Sequence, residues 1–318
     1  MKKILVIGLS CFVIVIGYIY YSNAQSSIEY SDDLVYELTL FSPEIKILQL
    51  TDFHLLSGFD HQDRRTFKLI EALIQDDDYD LIVITGDLTM SPFAPWLMRY
   101  FVRFMESFET PWTFVFGNHE SDLNSYQSII NHMPESEYLY FKVGPQLTNG
   151  GYGNFKISFI YEDIPIYHAY FLDTKAERTS YSKIEGKYDY LSEDQVSWYE
   201  AHVRQDLAPS SVFMHMPLRQ YMDPISYVGI FNEKQVYAQG VDTGFFEVMK
   251  TYAMSHAVFV GHDHLNDFYT MVDDIMLAYG RVTGFNAYGN LERGARLITI
   301  NENQALSTRI ILESEVIQ

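Results

Sequence analysis

Five strand-length apolar runs each stop at a cluster of titratable or amide side chains, and this repeated ending constrains the fold more than any other feature. "IKILQL" (Ile45 to Leu50) runs into "TDFH", "LIVIT" (Leu81 to Thr85) into "GD", and "WTFVF" (112–116) into "GNHE". Later, "SSVFM" (210–214) stops at His215 and "AVFV" (257–260) at "GHDH". Helical stripes separate the early runs: Phe67, Ile70 and Ile74, then Leu97, Phe101, Phe104 and Phe108, then Tyr126, Ile129, Ile130 and Met133. Ser192 and Gln195 predict a capping box for a helix bearing Val196, Tyr199 and Val203. The stretch from Tyr138 to Leu172 reads as hairpins, and "IMLAYG", "ARLITI" and "STRIIL" read as antiparallel strands. Strand–helix alternation early and strand runs late predict a mixed sheet system with helices outside. Open sheets present ligands at the carboxyl ends of their strands, so five polar endings can converge on one site.

The rest of the chain bounds what that site can serve. With 318 residues, 47% of them hydrophobic, it can bury a large core, and it contains no repeat. One catalytic-size domain is expected over residues 45–318, with a leader and first strand over 25–44 and the longest linker at Gln25 to Ser27. Ahead of it, "MKK", an apolar run of 18 residues (4–21) and "SNA" ending at Ala24 make residues 1–24 an export signal or a membrane anchor. Export puts the protein in secretion or at the cell surface. Cys11 is the sole cysteine, which excludes a disulfide framework and a cysteine nucleophile in the processed chain; Gly8 argues against a lipoprotein site there. Removing residues 1–24 takes the formal charge from −20 to −22. Such a surface repels nucleic-acid backbones, so no nucleic-acid partner is expected, and any phosphate the protein handles must be drawn in by something more local than its overall field. Oligomeric state is not legible, and membrane association is expected only through an uncleaved start.

The polar endings contain imidazoles, carboxylates and one amide, a donor set suited to manganese, iron or zinc. Singly, Asp52 after a strand or "GD" at a turn is an ordinary cap or turn. Jointly, Asp52, His54, Asp87, Asn118, His215, His262 and His264 supply eight bonds to two divalent ions if Asp87 bridges them. Two ions about 3.5–4 Å apart clamp a phosphoryl group and turn bound water into a nucleophile.

The ordered motifs D-x-H, G-D, G-N-H-E, a lone histidine and G-H-D-H resemble the calcineurin-like metallophosphoesterases. More narrowly, "YFLDT", "KYDYLSEDQVSWYE", "FMHMPLRQY", "GHDHLNDF" and "YGRVTGFNAYG" look like the purple acid phosphatase-related branch without a fibronectin-like module. The resemblance implies an α/β (mixed α+β) fold, a four-layer α-β-β-α sandwich of two mixed sheets. It implies that Asp52, His54 and His264 hold one metal, that Asn118, His215 and His262 hold the other, and that Asp87 bridges. His119 is left to touch the phosphate or protonate the leaving oxygen, with Glu120 to orient it. Asn118 and His119 would touch substrate, and Tyr279 and Arg281 are candidates for lining its pocket. Asn266 and Asp267 are expected to orient the metal histidines. The family's colour comes from a tyrosine three residues after the bridging aspartate; here that position is Met90. The expected activity is an exported phosphohydrolase, chiefly on phosphomonoesters. The alternatives are a phosphodiesterase of the same fold and a non-catalytic surface binding protein.

His61, His132 and His202 are expected at the surface, His168 in a strand with a satisfied hydrogen bond, and His256 in a structural role. Trp198 and Tyr199 are expected against the sheet.

Overall fold

The computed structural model describes residues 2–24, 27–31 and 35–317, with side chains in the first helix described from Val13 onward. The linker position Gln25 therefore lies outside the described residues. The chain opens with helix α1 (Lys2–Ala24) and strands β1 (Val35–Thr39) and β2 (Ile45–Leu50). Then α2 (His61–Ile74), β3 (Leu81–Thr85), α3 (Ala94–Glu106), β4 (Trp112–Val115) and α4 (Tyr126–His132) alternate as expected. A hairpin, β5 (Phe155–Tyr161) and β6 (Ile164–Phe171), precedes α5 (Glu193–Val203), β7 (Ser210–Phe213), α6 (Phe245–Tyr252) and β8 (Ser255–Val260). Strands β9 (Tyr269–Val272), β10 (Ile275–Tyr279), β11 (Gly294–Ile300) and β12 (Leu306–Leu312) follow, and α7 (Glu313–Val316) closes the chain.

The strands form two mixed sheets, one in the order β1-β5-β6-β7-β8-β10-β9 and one in the order β12-β11-β2-β3-β4. Strands β3, β4 and β7 are buried throughout, and β2 and β8 are buried over the residues that lead into the site, which favours their apolar runs. Alternate side chains point to different cores. Ile47, Leu81 and Val83 meet Phe171, Phe213 and Phe259 of the other sheet, while Leu48, Ile82 and Ile84 face α2 and α3. On the far side, Val212, Val258 and Leu277 pack under α5 and α6, where Trp198 and Tyr199 are buried. The layers run helix, sheet, sheet, helix.

Helix α2 starts where Asp60 accepts hydrogen bonds from the main-chain N–H of Gln62 and Asp63. Helix α5 starts at the capping box of Ser192 and Gln195. Two expectations need correction. Strand β1, set apart with the leader, is parallel to β5 in the seven-stranded sheet. The tail is not wholly antiparallel either: β11 and β12 are, but β10 runs parallel to β8 and antiparallel only to β9. A strand's own alternation does not name its partners, and β10 lies between β9 and β8, the latter ending fifteen residues before β10 begins.

Candidate metal centre

The loops after β2, β3 and β4 come from the five-stranded sheet, and those after β7 and β8 from the seven-stranded one. They converge where the sheets' carboxyl ends meet. Asp52, His54, Asp87 and His264 form one buried group with ligand atoms within 4.8 Å of one another, and Asp87, His215 and His262 form a second. Asp87 belongs to both, the position of a bridge. Asn118 Oδ1 lies 3.1 Å from His215 Nε2, in the second group.

The backbone is bent to achieve this. Asp52, His54, Asp87 and His262 all have φ between 50 and 79°, in the left-handed region that costs non-glycine residues energy. Glycines make the close approaches possible. A Cβ on Gly117 would stand 2.2 Å from Asp87 Oδ1, and one on Gly261 would stand 2.1 Å from Thr51 Oγ1. The main-chain N–H of His119 donates to Asp87 Oδ1 (2.9 Å), and that of His262 to both Asp52 oxygens (3.2 and 3.1 Å).

The donor atoms fit two cations. His215 Nδ1 donates to the carbonyl of Thr85 (2.7 Å), so Nε2 faces the site, 3.2 Å from His262 Nδ1 and 3.3 Å from Asp87 Oδ2. Burial disfavours a charge on this ring, but Asp87 pushes it up to about 10, and a bound cation would take the place of that proton. His54 Nε2 and His264 Nε2 face each other at 3.1 Å. Lone pairs and carboxylate oxygens crowded at such distances in a buried place are stabilised by cations between them. Burial opposes charge on both partners here. It lowers His54 to about 4, keeping a neutral ligand. Asp87, despite its burial, is held well below the usual carboxylate range by His215, His54 and His119 beside it.

His119 belongs to neither group. Its ring lies 5.1 Å from that of His54, at the cleft, and its Nδ1 pairs with Asp122 Oδ2 at 2.6 Å. Burial works against its protonation, but Asp87 and Asp122 raise it above the ordinary imidazole value. The orienting carboxylate is thus Asp122, three residues on, and the part assigned to Glu120 is corrected. Glu120 is buried and turned away, accepting from the main-chain N–H of Thr89 (3.1 Å) and Gly117 (2.7 Å). It ties the loop of Asp87 to the loop of Asn118. Burial and the nearby Asp87 push it up to about 7.

Tyr279 and Arg281 are also corrected. Both are buried behind the site, where Tyr279 donates to Asp263 Oδ2 (2.7 Å) and Arg281 pairs with Asp267 and donates to the carbonyl of Glu292. They brace the "GHDH" loop from below. Asn266 and Asp267 do not reach the metal histidines; they accept from main-chain N–H groups of Asn232, Glu233 and Ile230. The side chains that do line the 520 Å³ cleft include Met90, Glu177, Lys187, Tyr188, Glu233, Tyr237 and Tyr288. Asp122 could have been found from its spacing after His119. Tyr288 sits in "FNAYG", but nothing local marks it as facing the cleft. His61 and His256 are exposed, and His168 pairs with Ser158 as expected. His132 and His202 are half-buried, each ring nitrogen facing the main-chain carbonyl four residues before it.

The model of the calcineurin-like phosphoesterases matches residues 45–266. The chain belongs to this family. It is a phosphate ester hydrolase of the branch related to purple acid phosphatases, with a site for two metal ions. It is 25% identical over 305 residues to a protein named "Probable inactive purple acid phosphatase 29" of Arabidopsis thaliana, covering 82% of this chain and 78% of that protein. A second, "Probable inactive purple acid phosphatase 14" of the same plant, is 26% identical over 314 residues, covering 83% of this chain and 76% of that one. A solved structure 11% identical, with TM-score 0.51, covers 84% of this chain and 99% of its own, and shares the fold. A dimetal phosphatase from Danio rerio overlays with TM-score 0.49 at 12% identity, covering 85% of this chain and 99% of that one.

Proposed function

We propose that the protein is an exported phosphomonoesterase. The observation that carries this reading is His119, outside both ligand groups yet at the cleft, with its Nδ1 held by Asp122. Its Nε2 is then the nitrogen left for substrate. Bound ions would polarise the phosphoryl oxygens and activate the attacking water. His119 hydrogen-bonds the phosphate and delivers a proton to the leaving oxygen. Asn118 and the main-chain N–H of His119 keep Asp87 and the second ligand group in register. Glu120 keeps the two loops from separating.

The acidic surface supports a small ester over a nucleic-acid polymer. The basic start, apolar run and "SNA" support export. The word "inactive" in the relatives' names supports a second reading, a metal-binding protein without turnover. Assays of paired aryl phosphate mono- and diesters with added manganese separate them. The monoester should turn over faster, and Asp87→Asn should abolish both activities. Faster diester turnover would replace the monoester reading. Metal binding with no turnover of either ester would favour the second reading, and full activity in Asp87→Asn would exclude the two-ion assignment.

A further inference from the structure

The wall of the cleft beside the ion ligands is aromatic, and among the described residues its Glu233 has no cationic partner. Tyr188 stands edge-on to His262 with centroids 4.4 Å apart, and Tyr288 lies over His264 at 4.1 Å. Tyr188 and Tyr237 meet at 83° with centroids 6.5 Å apart, which makes a corner of two rings. The pieces are held in place. The N–H of Tyr237 donates to Asp263, the Tyr288 hydroxyl donates to Glu233 Oε1 (2.5 Å), and the N–H of Glu233 donates to Asn266. Glu177 is paired with Lys187, whose ammonium also stands 4.6 Å from the centre of the Tyr188 ring. Lys187 therefore already takes the Tyr188 ring as its own cation site. Glu233 instead receives neutral donors, the Tyr288 hydroxyl and the N–H of Leu265 (3.4 Å).

Ring faces and an unanswered carboxylate attract a positive group and repel a second phosphate. Two of the rings rest directly on imidazoles that would hold the ions, so a group carried on a short alcohol would meet the rings beside the phosphate position. We propose that the substrate is a phosphate ester of an amino alcohol, its ammonium group lying beside Tyr237 and Tyr288, away from Lys187, with Glu233 as counter-charge. This rests on the reading of the site as a phosphomonoesterase. Water adds its oxygen to phosphorus, the P–O bond to the alcohol breaks, and a proton delivered by His119 leaves on the alcohol oxygen.

The test compares phosphocholine with 3,3-dimethylbutyl phosphate, which has the same shape with carbon in place of the charged nitrogen, on the manganese-loaded protein. The expected kcat/KM ratio is about tenfold or more in favour of phosphocholine, the size of one desolvated cation–ring contact. Glu233→Gln and Tyr288→Leu should each bring the ratio toward one. Calorimetry should show choline binding and no binding of 3,3-dimethylbutanol. A ratio of one in the wild type, or equal binding of the two alcohols, overturns the proposal. Choline binding without turnover of any ester would uphold the subsite and remove the hydrolytic reading beneath it.

Discussion

His119 and Met90 decide the chemistry at the scale of single residues. Since His119 touches neither ion position, His119→Ala should lower turnover by about 10²–10⁴-fold for esters with poor leaving groups while elemental analysis finds metal content unchanged. Loss of an ion in that variant would show that its role is ligation. Asp122→Asn should lower turnover in the same direction by less, because the ring keeps its place and loses only its fixed tautomer. Met90, three residues beyond Asp87, lines the cleft. A thioether is a poor partner for a hard ferric ion and supplies no phenolate charge. The purified protein should therefore show no intense visible band and should exchange manganese or zinc readily. A strong band would mean that another tyrosine reaches the metal.

Strands β5 and β6 contribute, with Asp206, to a buried polar cluster that does not line the cleft. His168 Nδ1 meets Ser158 Oγ at 2.9 Å, its Nε2 lies 3.6 Å from Asp206, and Lys156 pairs with Asp206 at 2.6 Å. Burial lowers His168 to about 4, against the pull of Asp206 and with the push of Lys156. The unfolded chain, with an ordinary value near 6.5, then binds this proton more readily. Stability is unaffected by this group above pH about 6.5 and falls as pH drops from there toward about 4, by up to about 3 kcal/mol. In urea titrations, His168→Gln should lose about 2 kcal/mol less than the wild type between pH 7 and pH 5. Equal losses in the two proteins would show that the folded imidazole takes up its proton freely.

For the molecule as a whole, the open matter is how the domain relates to its first helix. Near its end α1 touches the domain: Asn23 Oδ1 accepts from the N–H of Ser125 (2.8 Å), and Tyr18 meets Phe93 with centroids 5.6 Å apart. Among the described residues no helix is long and apolar enough to cross a membrane. Cleavage after Ala24 would remove these contacts without touching either sheet. Mass spectrometry of the native protein should find a start at Gln25; a full-length chain confined to membranes would instead support an anchor.

The five strand endings, and with them the clustering of Asp52, His54, Asp87, Asn118, His215, His262 and His264, were legible because polar residues at strand ends interrupt largely apolar, buried runs. Helices α2 and α5 were legible for a similar reason, since a cap and a 3.6-residue stripe are local properties. What lay beyond reach was decided by contacts distant in sequence. The ligands come from two different sheets, and β10 pairs with β8, because strand neighbours are chosen by packing and not by local pattern. Glu120, Tyr279 and Arg281 carry polar atoms that suit a site, yet each turns inward to satisfy buried groups of the loops behind it. Tyr188, Tyr237, Glu233 and Tyr288 look like loop residues in sequence. Only the tertiary structure brings them to the cleft, where the loops that hold them fold back over the ion ligands.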